Sequence, residues 1–258
     1  MSNTTDKLIE QTSGVLEKTY DDIVHPSAKS VGNTLSLIPR TIGVWLGKWE
    51  KWVINGEESV RLTALAVREK ASHIPEEKLT EPEPYVVIPA IQQLGYCYDS
   101  EELRNMYANL LVASMNTEIK GQVHPSYVDI IKQLSPDEAK LLKSISTKRS
   151  HPIIDVHLLK ANGNYDLKVH NFTNIAEGVC EHPENIFSYI DNFVRLGLIE
   201  IPDKKELTDD ALYEPLMQHK EIVAFTSKEL PEGQSFKVVK RIFDLTMFGI
   251  NFIKVCVL

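Results

Sequence analysis

Apolar residues in the N-terminal half of the chain recur every three or four positions, which is the spacing of one helix face. The clearest such stripe consists of Leu35, Ile38, Ile42, Trp45, Trp49 and Trp52. Pro39 lies near its beginning, where a helix tolerates proline, and Asn55-Gly56 favours its end. Further helices are predicted at 5–24, 57–72 and 85–98. This half is therefore expected to be helical.

Helix-start signals indicate three more helices. Asp99 is expected to cap a helix with Glu102 as its partner three residues later. Pro125 begins a short helix. Ser135-Pro-Asp-Glu138 combines a serine cap, an early proline and a glutamate at the third helical position, and it predicts a helix that ends near Ile145.

After Thr147 the pattern alternates between strands and helices. Strands are predicted at 153–159, 197–201 and 242–245, with a turn at Asn162-Gly-Asn164. Helices are predicted at 183–196 and 208–226, the second weakened by Pro215. Thr246 is expected to cap a last helix, although β-branched and aromatic residues leave a strand as the alternative. This order of elements is that of a winged-helix domain, an analogy of fold that does not by itself indicate DNA binding.

The predicted fold class is therefore mainly α with a small β component. We divide the chain into an N-terminal helix and hinge (1–34), a helical domain (35–133) and a winged-helix-like domain (134–258). The last of these carries the inserted helix at about 208–226.

Composition narrows the classes of function. The 258 residues carry a net charge of −8, with 13 basic and 18 acidic residues up to Gln133 and 15 and 18 after it. Neither part has the basic excess that a nucleic-acid binder needs. The three isolated cysteines argue against disulfides and a thiolate zinc site. Because neither a signal peptide nor a spanning apolar stretch is present, we expect a cytoplasmic protein, with peripheral contact at the inner membrane as the alternative.

Several short motifs occur together from about residue 30 onwards. They are Gly47-Lys-Trp-Glu-Lys-Trp52, Ile74-Pro-Glu-Glu-Lys-Leu79, Tyr107-Ala-Asn-Leu-Leu111, His124-Pro-Ser-Tyr-Val128, Gln133-Leu-Ser-Pro-Asp137, Arg195-Leu-Gly-Leu-Ile199 and Leu245-Thr-Met-Phe-Gly249. In this combination the chain resembles the abortive infection alpha (Abi-alpha) family of bacterial phage-defence proteins. The resemblance implies a role in defence against phage, with growth arrest or cell death as the outcome. It carries over no catalytic residues.

The tryptophan stripe is the first candidate contact site. Its proposed members are Arg40, Trp45, Lys48, Trp49, Lys51 and Trp52. A basic helix that bears tryptophans can lie in a membrane interface. The same face can pack against other helices or a second copy of the chain. We favour packing, because an amphipathic helix ordinarily buries its apolar face.

Signals for chemistry are weak throughout the chain. Gly43 to Lys48 lacks the spacing and the Ser or Thr of a phosphate loop. Cys180 and His182, with His151 and His157, could approach a metal, but scattered histidines before prolines are better explained by turns. Adjacent acidic pairs suit helix starts and connectors. We therefore predict no catalytic residues, no metal and no cofactor.

A weak nucleic-acid site is the remaining candidate. The helix at 183–195 carries Arg195, and Lys237, Lys240 and Arg241 form a compact basic cluster nearby. The helix also exposes Glu184 and Asp191, which repel phosphate, so nucleic acid is a disfavoured partner.

We therefore predict a non-catalytic interaction protein of anti-phage defence that acts through a protein partner or self-association. A membrane-surface effector and a winged-helix DNA-binding regulator are the alternatives. No small-molecule substrate is predicted.

Overall fold

The structure is a computed structural model that describes residues 57–94, 97 and 99–258. The predicted N-terminal helix, the hinge and the tryptophan-bearing helix lie outside the described residues.

Helices form the first part of the described chain, as predicted. They are α1 (Glu57–Ala71), α2 (Pro84–Leu94), α3 (Glu101–Met115), α4 (Ser126–Lys132) and α5 (Pro136–Ile145). The predicted cap of α3 is wrong by one residue. Ser100 is the cap, because its hydroxyl accepts a hydrogen bond from the amide of Leu103, whereas Asp99 is exposed.

The start of α5 has the predicted geometry. The Ser135 hydroxyl accepts a hydrogen bond from the Glu138 amide, and the Glu138 carboxylate accepts one from the Ser135 amide. Both ends of this capping box satisfy amides that the helix itself leaves unpaired. The entry into the second half of the chain is thereby fixed by local sequence.

Four strands build one antiparallel sheet within the described residues. They are β1 (Ser150–Leu159), β2 (Tyr165–Phe172), β3 (Ile199–Glu200) and β4 (Ser235–Leu245), in the order β2–β1–β4–β3. The central pair β1 and β4 is in register along its whole length. Strand β2 was not predicted. It carries irregularities where it faces Ile154 to His157.

Helix α6 (Ile186–Arg195) comes between β2 and β3 along the chain. It ends directly before Leu196-Gly197-Leu198. Gly197 has a φ of 70°, and the amides of Gly197 and Leu198 donate to the carbonyls of Val194 and Phe193. This is the geometry that favours glycine after a helix.

The predicted helix at 208–226 is broken into short pieces. They are a 3₁₀ turn at Asp210–Leu212, α7 (Glu214–Met217) and α8 (Lys220–Thr226). Pro215 lies in the first turn of α7. Proline at this position removes no helical hydrogen bond, so it favours the start of a helix instead of weakening one. The last segment is helical: α9 (Met247–Phe252) is capped by Thr246 and continues as a π-helix (Ile253–Val257).

The apolar core forms two clusters among the described residues. The larger one joins α1–α6, α9 and the π-helix to one face of the sheet and includes Leu110, Ile131, Phe193 and Cys256. The smaller one lies between the sheet and α7–α8 and includes Ile154, Phe172 and Tyr213. The described chain is thus mainly helical with a smaller β component. The division at residue 133 stays a prediction. Among the described helices, none combines the length and apolar character needed to span a bilayer.

Candidate interaction surface

The tryptophan-helix residues Arg40, Trp45, Lys48, Trp49, Lys51 and Trp52 lie outside the described residues. Their role as a partner or membrane contact stays a prediction.

The predicted basic cluster on β4 is divided between the faces of the sheet. Lys240 forms an ion pair with Asp210 at 2.6 Å, whereas Arg241 points to the other face and pairs with Asp155 at 3.0 Å. Lys237 is exposed near the beginning of the strand. Two of the three cations are therefore held by carboxylates of the same chain.

Arg195 lies apart from that cluster, at the end of α6. Its guanidinium donates to the side-chain oxygens of Gln133 and Asn192, and Asn192 in turn donates to the Glu138 carboxylate. These contacts tie α6 to the start of α5. The structure thus gives Arg195 a role in packing the two helices together.

A buried polar cluster links β1, β2 and β4, and sequence reasoning missed it. Asp155 is only 4% exposed and accepts hydrogen bonds from the Asn171 amide and the Arg241 guanidinium. The exposed imidazole of His170 lies 3.3 Å from the same carboxylate. Asn171 has a φ of 53°, a left-handed conformation that asparagine tolerates better than most residues. The cluster fixes the irregular end of β2.

Beside this cluster lies an open depression of about 510 Å³ between β2, α6 and α8. Its floor is aromatic and aliphatic and includes Phe172, Phe187, Ile222 and Phe225. Lys168 and His170 lie on the strand side, and Asp191 and Glu221 lie on the helix side. The depression can accommodate an apolar side chain between rims of opposite charge.

A second buried carboxylate organises the segment before α6. Asp137 accepts hydrogen bonds from the amides of Glu181 and His182 and from the Tyr189 hydroxyl. Burial opposes its ionisation, but these donors, with Lys140, outweigh burial and lower the pKa of Asp137. The carboxylate thus acts as an anchor for a loop.

The side chains considered for a metal site do not converge. Burial, aided by the nearby Asp137 carboxylate, raises the pKa of the Cys180 thiol to about 11. His182 lies beside Glu184, His151 stacks on Phe243, and His157 stacks on Tyr165. Within residues 57–94, 97 and 99–258, no group of three or more His, Cys, Asp or Glu side chains has the arrangement of a metal site.

Within the described residues, β2 is the longer of the two edge strands of the sheet. Strand β2 is an edge strand, and nothing in the described part of the chain pairs with its outer side as a strand. Tyr165 is 58% exposed and Leu167 is 46% exposed. Phe187, on α6 near the other end of the strand, is 40% exposed. Exposed apolar residues along a free strand edge, such as Tyr165 and Leu167, are typical of contact surfaces.

The family model described as abortive infection alpha matches residues 56–256. No curated protein and no solved structure matches the chain.

Proposed function

Because the chain belongs to the abortive infection alpha family, we propose that it acts in bacterial anti-phage defence through contact with a protein partner or with itself, without catalysing a reaction. The family supplies the setting of abortive infection. The mode of action is our inference from the surface.

The observation that carries the proposal is the exposed apolar edge of the sheet. Tyr165 and Leu167 expose large side chains on a strand whose backbone can still accept a neighbour. By contrast, Asp155 and Asp137 are engaged in structural hydrogen bonds. These two buried carboxylates therefore hold loops and strands in place, which suits a protein that presents a surface for contact.

An efficiency-of-plating assay tests the proposal in cells challenged with phage. We expect Leu167→Asp to abolish protection, because it places a charge in the contact surface. Leu212→Asp is the matched control, since Leu212 is 39% exposed outside the sheet. His170→Ala should protect as well as the wild type, because this imidazole has no catalytic role in the proposal.

Loss of protection by His170→Ala at normal expression and thermal stability would indicate a reaction centre beside Asp155 and would contradict the proposal.

The sequence also suggests two alternative functions, which compete with this proposal. A membrane-surface effector would use the helix that contains Trp49, and a peripheral site at the inner membrane would then replace a purely cytoplasmic location. Liposome flotation of the wild type and of Trp49→Glu separates this rival, because only membrane insertion predicts lipid binding that the variant loses.

A winged-helix DNA-binding regulator is the second rival, with residues 134–258 as the winged-helix-like module. Lys237→Glu is its cleanest test, since Lys237 is exposed whereas Lys240 and Arg241 are ion-paired. Salt-sensitive binding to duplex DNA that this variant weakens would favour the regulator. The ion pairs of Lys240 and Arg241 support the lower rank that we give it.

A further inference from the structure

The helical side of the depression between β2, α6 and α8 carries acidic groups without a partner among the described residues. On α6, Asp191 lies one turn after Phe187, which is 40% exposed. On α8, Phe225 lies one turn after Glu221. Neither the Asp191 nor the Glu221 carboxylate forms a hydrogen bond or an ion pair within the described part of the chain. Each helix therefore presents an aromatic ring beside an unpaired carboxylate, which favours an apolar occupant that also carries positive charge.

The three tryptophans of the chain have the spacing of an occupant for such a groove. Trp45, Trp49 and Trp52 follow one another at four and three residues, so the predicted helix places them on one face. Amphipathic helices that bind in apolar grooves use anchor residues at i, i+4 and i+7. The depression has a volume of about 510 Å³, which lies within the range of pockets that bury ligands much larger than one indole ring. The tryptophan face therefore suits the aromatic floor of the depression.

The charges beside the tryptophans match the helical side of the depression. At about 100° per residue, Lys48 and Lys51 fall on one flank of the predicted tryptophan face and Glu50 falls on the other. The two lysines can therefore approach the unpaired carboxylates of α6 and α8 while the tryptophans contact the floor. The bases on the strand side of the depression already lie beside carboxylates of β1 and β2, so they contribute less to the match.

The short connection to α1 favours the depression of a second copy over that of the same chain. Trp49 precedes Glu57, the first residue of α1, by eight residues. A helix to Ile54 and an extended link after it together span only about 18 Å. Helix α1 packs in the larger apolar cluster, and its Ser59 hydroxyl donates to the Leu94 carbonyl at the end of α2. The floor of the depression belongs to the smaller cluster instead.

We propose that residues 45–52 of one copy bind in the depression of a second copy, with the tryptophans on its floor and Lys48 and Lys51 beside Asp191 and Glu221. Exchange of this segment in both directions makes the contact isologous and closes a two-fold dimer. The inference goes beyond the proposed function, because it names a surface for self-association away from the open edge of β2. That edge is then left to a protein partner.

Tryptophan fluorescence of the full chain tests the contact, because all three tryptophans lie within residues 45–52. We expect the emission to shift to shorter wavelength, and acrylamide quenching to weaken, as the protein concentration rises from about 0.1 to 100 μM, a range that brackets a micromolar Kd. Phe187→Asp should remove this concentration dependence, because it replaces an aromatic contact with a charge. Val223→Asp is the matched control, since Val223 is 47% exposed on α8 and lies outside the lining of the depression.

A charge-reversal pair tests whether the contact joins two copies. We expect the groove variant, Asp191→Lys/Glu221→Lys, to weaken association about 10-fold or more in sedimentation velocity, because it sets like charges against the lysines. The segment variant, Lys48→Glu/Lys51→Glu, should do the same. An equimolar mixture of the two should associate again, since opposite charges then meet at both contacts of the mixed dimer. Thermal unfolding of the groove variant should match the wild type, because both carboxylates are exposed and unpaired.

Association that returns only in the mixture, together with tryptophan emission that depends on concentration and on Phe187, is the expected result. A wild-type monomer at about 100 μM, or a mixture that stays monomeric, overturns the inference. Emission that is independent of concentration but altered by Phe187→Asp would place the segment in the depression of its own chain and would also overturn the exchange. A shift of emission that occurs only with anionic lipid vesicles would assign the tryptophans to a membrane surface instead.

Discussion

Replacing Asp137 should release the loop that leads into α6. The carboxylate holds the Glu181 amide at 2.9 Å, the His182 amide at 2.8 Å and the Tyr189 hydroxyl at 3.1 Å. Hydrogen bonds to a charged group contribute about 1.5–3 kcal/mol each and are not fully additive. We therefore expect Asp137→Ala to lower the free energy of unfolding by about 4 kcal/mol.

Chemical and thermal denaturation followed by circular dichroism measure this loss. For a chain of this size, about 4 kcal/mol corresponds to a fall in Tm of about 8–16 °C. Asp129→Ala is the control on the neighbouring helix, because Asp129 is exposed and should change stability by less than about 0.5 kcal/mol. A loss below about 1 kcal/mol for Asp137→Ala would refute the view that this carboxylate anchors the loop.

The hydrogen bonds to the Asp137 carboxylate also predict how the stability of the protein depends on pH. The folded pKa of Asp137 lies below its usual value of 3.8, because the donated hydrogen bonds and Lys140 outweigh the opposing effect of burial. Its contribution is therefore complete above that usual value and is lost as the pH falls through the folded pKa. The stability difference between the wild type and Asp137→Asn should narrow in this acid range. An unchanged difference at about pH 2, below the usual carboxyl range, would mean that charge plays no part.

Three further changes test other parts of the fold by denaturation. Gly249→Ala should lower the free energy of unfolding by more than about 2 kcal/mol, because the added methyl group would overlap the backbone carbonyl of Leu198. Gly121→Ala is the control, since a methyl group there meets nothing within 4 Å. Equal effects of the two changes would contradict this packing. Burial lowers the pKa of His151 below its usual value of 6.5. The free energy of unfolding should therefore fall as the pH drops from 6.5 through the pKa of the folded state. A His151→Gln variant with the same dependence of stability on pH would disprove the role of His151. Arg241→Glu should cost about 3 kcal/mol or more, because it sets a second carboxylate against buried Asp155; a neutral result would remove the structural role of that pair.

Local signals in the sequence were sufficient for most helices. The capping box of Ser135 and Glu138 needs only residues within one turn, so its pattern and its geometry agree. The cap of α3 shows the limit of such reasoning. Asp99 and Ser100 are both good capping residues, and only the three-dimensional path of the chain selects the Ser100 hydroxyl for the Leu103 amide.

Strand β2 could not be recognised from alternation. Its register with β1 shifts twice between Ile154 and His157, so the residues of β2 do not keep the two-residue period that identifies a strand. Its inward and outward positions also mix charged and apolar side chains. The open edge, which carries the proposed contact, was therefore invisible until the sheet was known.

The polar clusters depended on contacts between distant residues. Asp155 and Arg241 are 86 positions apart, and they meet only because β1 and β4 pair in a particular register. The sequence drew attention to Arg241 as a cation but not to the carboxylate that neutralises it. A search for charge alone therefore overestimates how much positive surface this chain offers.

The covering of α3 by the C-terminal segment has a consequence during protein synthesis. The Asn109 side chain donates to the Cys256 carbonyl 147 positions later, and Cys256 is completely buried there. At a translation rate of about 5–20 residues per second, Cys256 is synthesised roughly 7–30 s after α3. Over that time the part of α3 that the C-terminal segment covers in the folded protein is exposed, so the nascent chain should bind chaperones that shield apolar surfaces.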